Sequence, residues 1–118
     1  LVLQKNNRRK NVDFKYKKTY LYLMQRQQIL QQLSLLKTQL EKQYPIASMA
    51  LFGSYSRNEQ TPQSDIDICI DFNGDIGWEF LDIHFALEKA LKHKVDLVSK
   101  NGIPPKYFNF IKDELIYV

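Results

Sequence analysis

The segment Asp65-Ile66-Asp67-Ile68-Cys69-Ile70-Asp71-Phe72 alternates polar and apolar side chains without a break. Successive side chains of a β-strand point to opposite faces of the sheet. This pattern is therefore a strand with Ile66, Ile68, Ile70 and Phe72 on one face and Asp65, Asp67, Cys69 and Asp71 on the other. The apolar face needs a covering layer. The carboxylate face needs water, a cation or a ligand, because an unpaired buried charge is costly. The strand must sit in a sheet with helices against one side and something polar on the other.

Two further runs read as strands beside it. Ile46 to Phe52 is short and largely apolar, as in a buried strand, and Gly53-Ser54 breaks it. Lys94 to Val98 is a third, with Asp96 interrupting its apolar residues. From about Gln25 the period becomes helical. Ile29, Leu33, Leu36, Leu40 and Tyr44 recur at steps of three and four, Leu30 and Leu35 widen the apolar side, and Pro45 ends the helix. Trp78 to Leu91 is a second helix with two stripes, Phe80/Ile83/Leu87/Leu91 and Trp78/Leu81/Phe85. The polar stretch Tyr55 to Ser64 has room for one short helix, and Asn73-Gly74-Asp75 is a turn. After the loop Gly102-Ile103-Pro104-Pro105, Pro105 can open a last helix running to about Glu114, and the apolar residues Leu115 to Val118 end the chain. The order of elements predicts an α/β (α+β) domain: a small mixed sheet of three or so strands flanked by helices.

With 118 residues there is material for one modest domain. The net charge of +4 would suit a nucleic-acid partner, but its distribution does not. Residues 1–20 hold seven basic side chains against one acid, leaving ten basic against twelve acidic in residues 21–118. The basic character belongs to the leader, so nucleic acid is not the expected partner of the domain. A single cysteine, Cys69, allows no disulfide within this chain and suits a reducing cytoplasm. No apolar run reaches the length of a membrane span.

The chemistry resides in three places. Asp65 and Asp67 project from the same strand face, where their charges repel, and a divalent cation relieves that repulsion. Magnesium prefers hard oxygen ligands, often one or two carboxylates together with substrate phosphates. Taken alone, Asp-x-Asp is also an ordinary wet strand face. Gly53-Ser54 follows a buried strand where the chain must turn. Glycine allows a close backbone approach, the turn's amides can face an anion, and the Ser54 hydroxyl can donate to a phosphate oxygen. A plain strand-to-helix turn reads the same way. Asp96 is either a third ligand beside that pair or a surface residue paired with Lys92 or Lys94. Arg57 is placed to meet a phosphate or an acidic partner surface, or equally to sit on the surface bound to Glu59 or Asp65. His84 and His93 lack metal-ligand companions, and His84 can pair with Glu88 one helical turn on.

Leu51-Phe52-Gly53-Ser54-Tyr55-Ser56-Arg57, followed by Thr61-Pro62-Gln63-Ser64-Asp65-Ile66-Asp67, resembles the signature of the minimal nucleotidyltransferases in the DNA polymerase beta-like superfamily. Lys94-Val95-Asp96-Leu97-Val98 is similar to that family's third-carboxylate strand. The resemblance extends from about residue 25 to the end. It departs at Ser56, where many members carry alanine, and at Gln63, where many carry an acid. It implies the polymerase beta-like nucleotidyltransferase fold and transfer of a nucleoside monophosphate from ATP or another nucleoside triphosphate. By the same resemblance Asp65, Asp67 and Asp96 are catalytic and hold one or two Mg²⁺ ions, while Gly53, Ser54, Arg57 and Ser64 bind the nucleotide. Larger relatives carry a second domain for the acceptor, for which this chain has no room. The acceptor implied is a hydroxyl on a helical HEPN-domain protein, with this chain as the antitoxin that adds AMP to the toxin. The alternatives are an aminoglycoside-type nucleotidyltransferase that needs a partner subunit, and a non-catalytic antitoxin that masks its partner.

Residues 1–23 read as a basic N-terminal extension, disordered or not native, ahead of a nucleotidyltransferase domain over 24–118. A chain starting at Met24 is then expected to stay soluble and to keep any activity of the full chain. Parallel expression and assay of the two lengths checks this, and loss of either property in the shorter chain defeats it.

Overall fold

The structure is a computed structural model that describes residues 25–118; the basic leader and Met24 lie outside the described residues. Helix α1 runs through residues 25–40 and is followed by turns up to Pro45. It ends one turn earlier than the apolar period suggested, although Tyr44 still donates its backbone N–H to Leu40. Strand β1 is Ile46–Phe52, helix α2 the single turn Gly53–Ser56, and strand β2 Ile66–Phe72. Helix α3 is Glu79–Leu91, strand β3 Val95–Ser99, helix α4 Pro105–Ile111 and strand β4 Ile116–Tyr117.

The sheet order is β3-β2-β1-β4. Strand β1 is antiparallel to both of its neighbours, and β3 is parallel to β2. Parallel neighbours cannot be joined by a hairpin, and α3 supplies the crossover. The sheet is mixed, as expected, but has four strands. The fourth comes from the apolar tail, which the sequence reading left without a structure. Two residues are too few to show a period, so pairing with β1, and not intrinsic pattern, makes Ile116–Tyr117 a strand.

One face of the sheet is the core. Met49, Leu51, Ile66, Ile68, Ile70, Val95 and Leu97 are buried with Ile29 and Leu33 of α1 and Ile83 and Leu87 of α3. A β-bulge between Ile46 and Ser48 changes the parity of β1, which lets Ile46 join Met49 and Leu51 inside while Ala47 is exposed. The opposite face follows from the pleat. It carries Phe52, Asp67, Cys69, Asp96 and Val98, and α4 lies beside its β3 end. The second stripe of α3 is not used inside the described fold: Trp78 (83% exposed), Leu81 and Phe85 stand in solvent, and Trp78 lies just ahead of the helix it was expected to open.

Candidate active site

Strand pairing assembles the carboxylates. Asp67 lies opposite Asp96 on the parallel neighbour and opposite Phe52 on the antiparallel one. Because Phe52 precedes Gly53, the chain leaves β1 directly beside Asp67. Gly53 turns there with φ +73°, in the left-handed region, and a β-carbon on it would meet Asp67 Oδ2 at 2.0 Å. Only glycine meets both demands, the positive φ and the close approach. The turn continues straight into α2, which buries Tyr55 and Ser56. The short helix thus begins at Gly53 itself, earlier than the Tyr55–Ser64 stretch where it was expected.

Burial pushes the Asp67 carboxyl up to about 6, with the charges of Asp96 and Asp65 adding to the effect, the Arg57 cation opposing it and Glu114 contributing a little more. The described residues give Asp65, Asp67 and Asp96 no ion pair. Lys92 and Lys94 do not pair with Asp96, which is exposed. A half-buried carboxylate beside two like charges is a donor suited to a hard divalent cation. Among the described residues, no three His, Cys, Asp or Glu side chains close into a metal cage. The protein oxygens would therefore supply part of a coordination shell, with phosphate oxygens and water completing it.

The remaining candidates divide. Ser54 is half-buried in α2 next to Gly53. Ser64 Oγ accepts the Thr61 backbone N–H at 2.8 Å, forming a turn just ahead of Asp65. Arg57 donates through Nε to Glu59 Oε2 at 3.0 Å, one of the partners foreseen for it, and through Nη1 to Glu114 Oε2 at 2.8 Å, which was not foreseen. His84 Nε2 lies 2.9 Å from the Val95 carbonyl oxygen and 3.6 Å from Glu88 Oε1. Lys100 is exposed, with its ammonium 5.5 Å from the centre of the Phe108 ring.

Beside Asp96 opens a cleft of about 470 Å³, walled by Phe52, Val98, Ile103, Tyr107, Phe110 and Ile111. It is apolar except at the carboxylate. A second hollow of about 520 Å³, between α1 and the neighbouring ends of α3 and β2, contains none of the candidate residues. The smaller cleft is therefore the one that bears on the chemistry. Sequence reasoning missed its α4 wall, because Tyr107 and Phe110 read as ordinary helix residues.

Residues 33–118 match the family model described as nucleotidyltransferase domain. A Methanocaldococcus jannaschii protein, MJ0126, whose provisional name is protein adenylyltransferase, is 43% identical over 84 residues, 70% of this chain and 86% of its own length. A solved structure described provisionally as a minimal nucleotidyltransferase superposes with a TM-score of 0.63 at 27% identity, covering 80% of this chain and 93% of that one. A crystal structure of a toxin–antitoxin with AMP-PNP superposes with a TM-score of 0.53, also at 27% identity, over 63% of this chain and 59% of that one.

Two outcomes are expected at this site. Gly53→Ala must either displace the Asp67 carboxylate or shift the turn, at a strain of roughly 1–2 kcal/mol for the left-handed backbone. Nucleotide binding, followed by calorimetry, should fall at least tenfold while the far-ultraviolet circular dichroism keeps its native form. The second outcome concerns pH. Asp67 has a folded pKa raised above its unfolded value, so its contribution to stability is complete below about pH 4 and is lost as pH rises through about 6. Without divalent cations, the melting temperature of the protein relative to Asp67→Asn should fall across that window. Stabilisation by an added divalent cation should grow across it. A flat difference between the two proteins would contradict the raised pKa.

Proposed function

The chain belongs to the family of nucleotidyltransferase domains, and from that premise we propose that it is a magnesium-dependent protein adenylyltransferase that moves AMP from ATP to a hydroxyl on a partner protein. The observation that carries this reading is the meeting of Gly53, Asp67 and Asp96 at one end of the strands, with an apolar cleft opening beside Asp96. Asp65, Asp67 and Asp96 would hold one or two Mg²⁺ ions. When bound, Mg²⁺ offsets negative charge on the phosphates and on the attacking and leaving oxygens.

The chain's own residues perform the rest. Gly53 lets the β- and γ-phosphates approach the turn closely, Ser54 holds them through its amide and hydroxyl, and Arg57 supplies a cation beside them. Asp96, exposed at the cleft, takes the proton of the acceptor hydroxyl. That oxygen then attacks the α-phosphorus, a new O–P bond forms, and the bond from phosphorus to the α–β bridging oxygen breaks, so pyrophosphate leaves. The contribution of the protein is positioning and a fixed electrostatic field. Ser64 shapes the approach to Asp65 through its turn with Thr61, and its contact with nucleotide is indirect on this reading.

We assign the partner to a helical HEPN-domain toxin and this chain to the role of its antitoxin, in the cytoplasm. Likeness to a solved toxin–antitoxin supports a toxin as the partner; its HEPN class rests on the sequence resemblance. The exposed Trp78, just ahead of α3, and Leu81 and Phe85 on it support a protein partner more than a small-molecule acceptor. The same stripe keeps a second reading in view, in which binding alone masks the toxin.

Intact mass of the partner, co-expressed with this chain and incubated with ATP and Mg²⁺, tests both readings. A gain of one or more AMP units that vanishes in Asp65→Asn/Asp67→Asn is expected, with activity reduced at least a thousandfold. A stable complex without any mass gain would leave masking as the function. No complex at all would redirect the search to small-molecule acceptors such as aminoglycosides.

A further inference from the structure

We propose that Glu114 is a positioning residue for nucleotide binding: it clamps the Gly53–Arg57 turn from the far end of the chain. This rests on the reading of that turn as the phosphate site. Helix α2 is a single turn of four residues, and forming one turn fixes several dihedrals for a single hydrogen bond. The residue before it, Phe52, offers no capping oxygen. The Glu114 carboxylate supplies what is missing locally. Its Oε1 accepts the Gly53 N–H at 3.0 Å, its Oε2 accepts from Arg57 Nη1 at 2.8 Å, and the Ser56 hydroxyl donates to its backbone carbonyl. From the opposite side, Arg26 of α1 donates to the Ser56 carbonyl at 3.0 Å.

Strand register delivers the clamp. Leu51 pairs with Ile116 and Ala50 with Tyr117, so continuing the same antiparallel register sets Gly53 opposite Glu114. The Val118 N–H donates to the Met49 carbonyl at 3.0 Å and Lys37 Nζ to the Val118 carbonyl at 3.1 Å, which fixes the tail on β1 and α1. The Glu114 side chain is 18% exposed against 65% for Glu59, so of the two carboxylates on Arg57 it is the shielded one. Shielding from water strengthens a charge-assisted hydrogen bond. Arg57 is thus held by carboxylates at Nε and at Nη1, with its position fixed relative to Gly53, whose approach to Asp67 leaves no slack.

The test uses the full chain with Glu114→Ala and Glu114→Gln, the latter keeping an acceptor for the Gly53 N–H. Hydrogen exchange of the Gly53 amide, read by NMR without nucleotide, should accelerate at least tenfold in Glu114→Ala while amides of β1 and β2 keep their protection. The dissociation constant for a non-hydrolysable ATP analogue with Mg²⁺ should rise about tenfold or more in Glu114→Ala, as expected for loss of hydrogen bonds to a charged group. Glu114→Gln should recover most of both effects. Ile83→Ala, a core truncation on α3, should lower the melting temperature without moving the dissociation constant. Should Glu114→Ala not fold, Glu114→Asp, which keeps the charge and shortens the reach, takes its place. Unchanged Gly53 exchange would overturn the clamp. Tighter nucleotide binding in the variants would also overturn it, showing Glu114 to compete with phosphate. If the unaltered protein binds no nucleotide, the nucleotide reading falls and takes the clamp's purpose with it, while Gly53 exchange still reports whether the clamp exists.

Discussion

The close approach of Gly53 to the Asp67 carboxylate is the contact on which the site depends. Antiparallel pairing sets Phe52 opposite Asp67, so the chain leaving β1 must turn within one residue of that carboxylate. A β-carbon at the turn would lie 2.0 Å from Asp67 Oδ2, and the backbone is in the left-handed region at φ +73°. The Gly53 turn and the Asp67 carboxylate are therefore one rigid object, not two neighbouring features. Helix α2 follows at once and buries Tyr55 and Ser56. Catalysis by positioning has little tolerance for movement, and a contact with no slack is a way of removing it.

The two faces of the sheet divide the work. The face built on Met49, Leu51, Ile68 and Ile70 is fully buried and supplies the apolar burial that stabilises so small a domain. The other face carries the cost. Asp67 is half-buried beside two like charges, which is why its pKa lies near 6 and not near 4. A fold selected for stability alone would not place carboxylates side by side on adjacent strands. Local strain of this kind gathers at functional sites and is offset elsewhere in the structure. Here the offset is the apolar face of the same three strands.

Much of the architecture was legible because it follows from periodicity. The alternation from Asp65 to Phe72, the helical period from Ile29 to Leu40 and the stripe Phe80/Ile83/Leu87 each name their own geometry, and the three long strands and two long helices lie where those periods put them. Gly53-Ser54 and Asp65-x-Asp67 were legible as local motifs. The unread parts depend on contacts between distant residues. Strand β4 is two residues long and exists through pairing with β1. Glu114 ended an apparently ordinary helix, and only the register of β4 brings it to Gly53. The exposed faces of Tyr107 and Phe110 gain meaning only because α4 lies beside Asp96. The bulge at Ala47 has no signature at all in its own sequence, since alanine there is compatible with a regular strand.

Register also couples the site to the core. Asp67 meets Phe52 and Asp96 through the same pairings that set Ile68 against Leu51 and Leu97. A slip of one residue in β2 would exchange its faces, sending Asp65, Asp67 and Asp71 into the apolar layer and Ile66, Ile68 and Ile70 into water. That alternative is heavily penalised, so the burial of isoleucines selects the carboxylate geometry without any direct attraction among the carboxylates. Their mutual repulsion can then persist in the folded state, because the core and not the carboxylates sets the register. Residues at positions 53, 67, 96 and 114 come from four segments of the chain, yet their meeting needs no more than three strand pairings held in register by a core that never touches substrate.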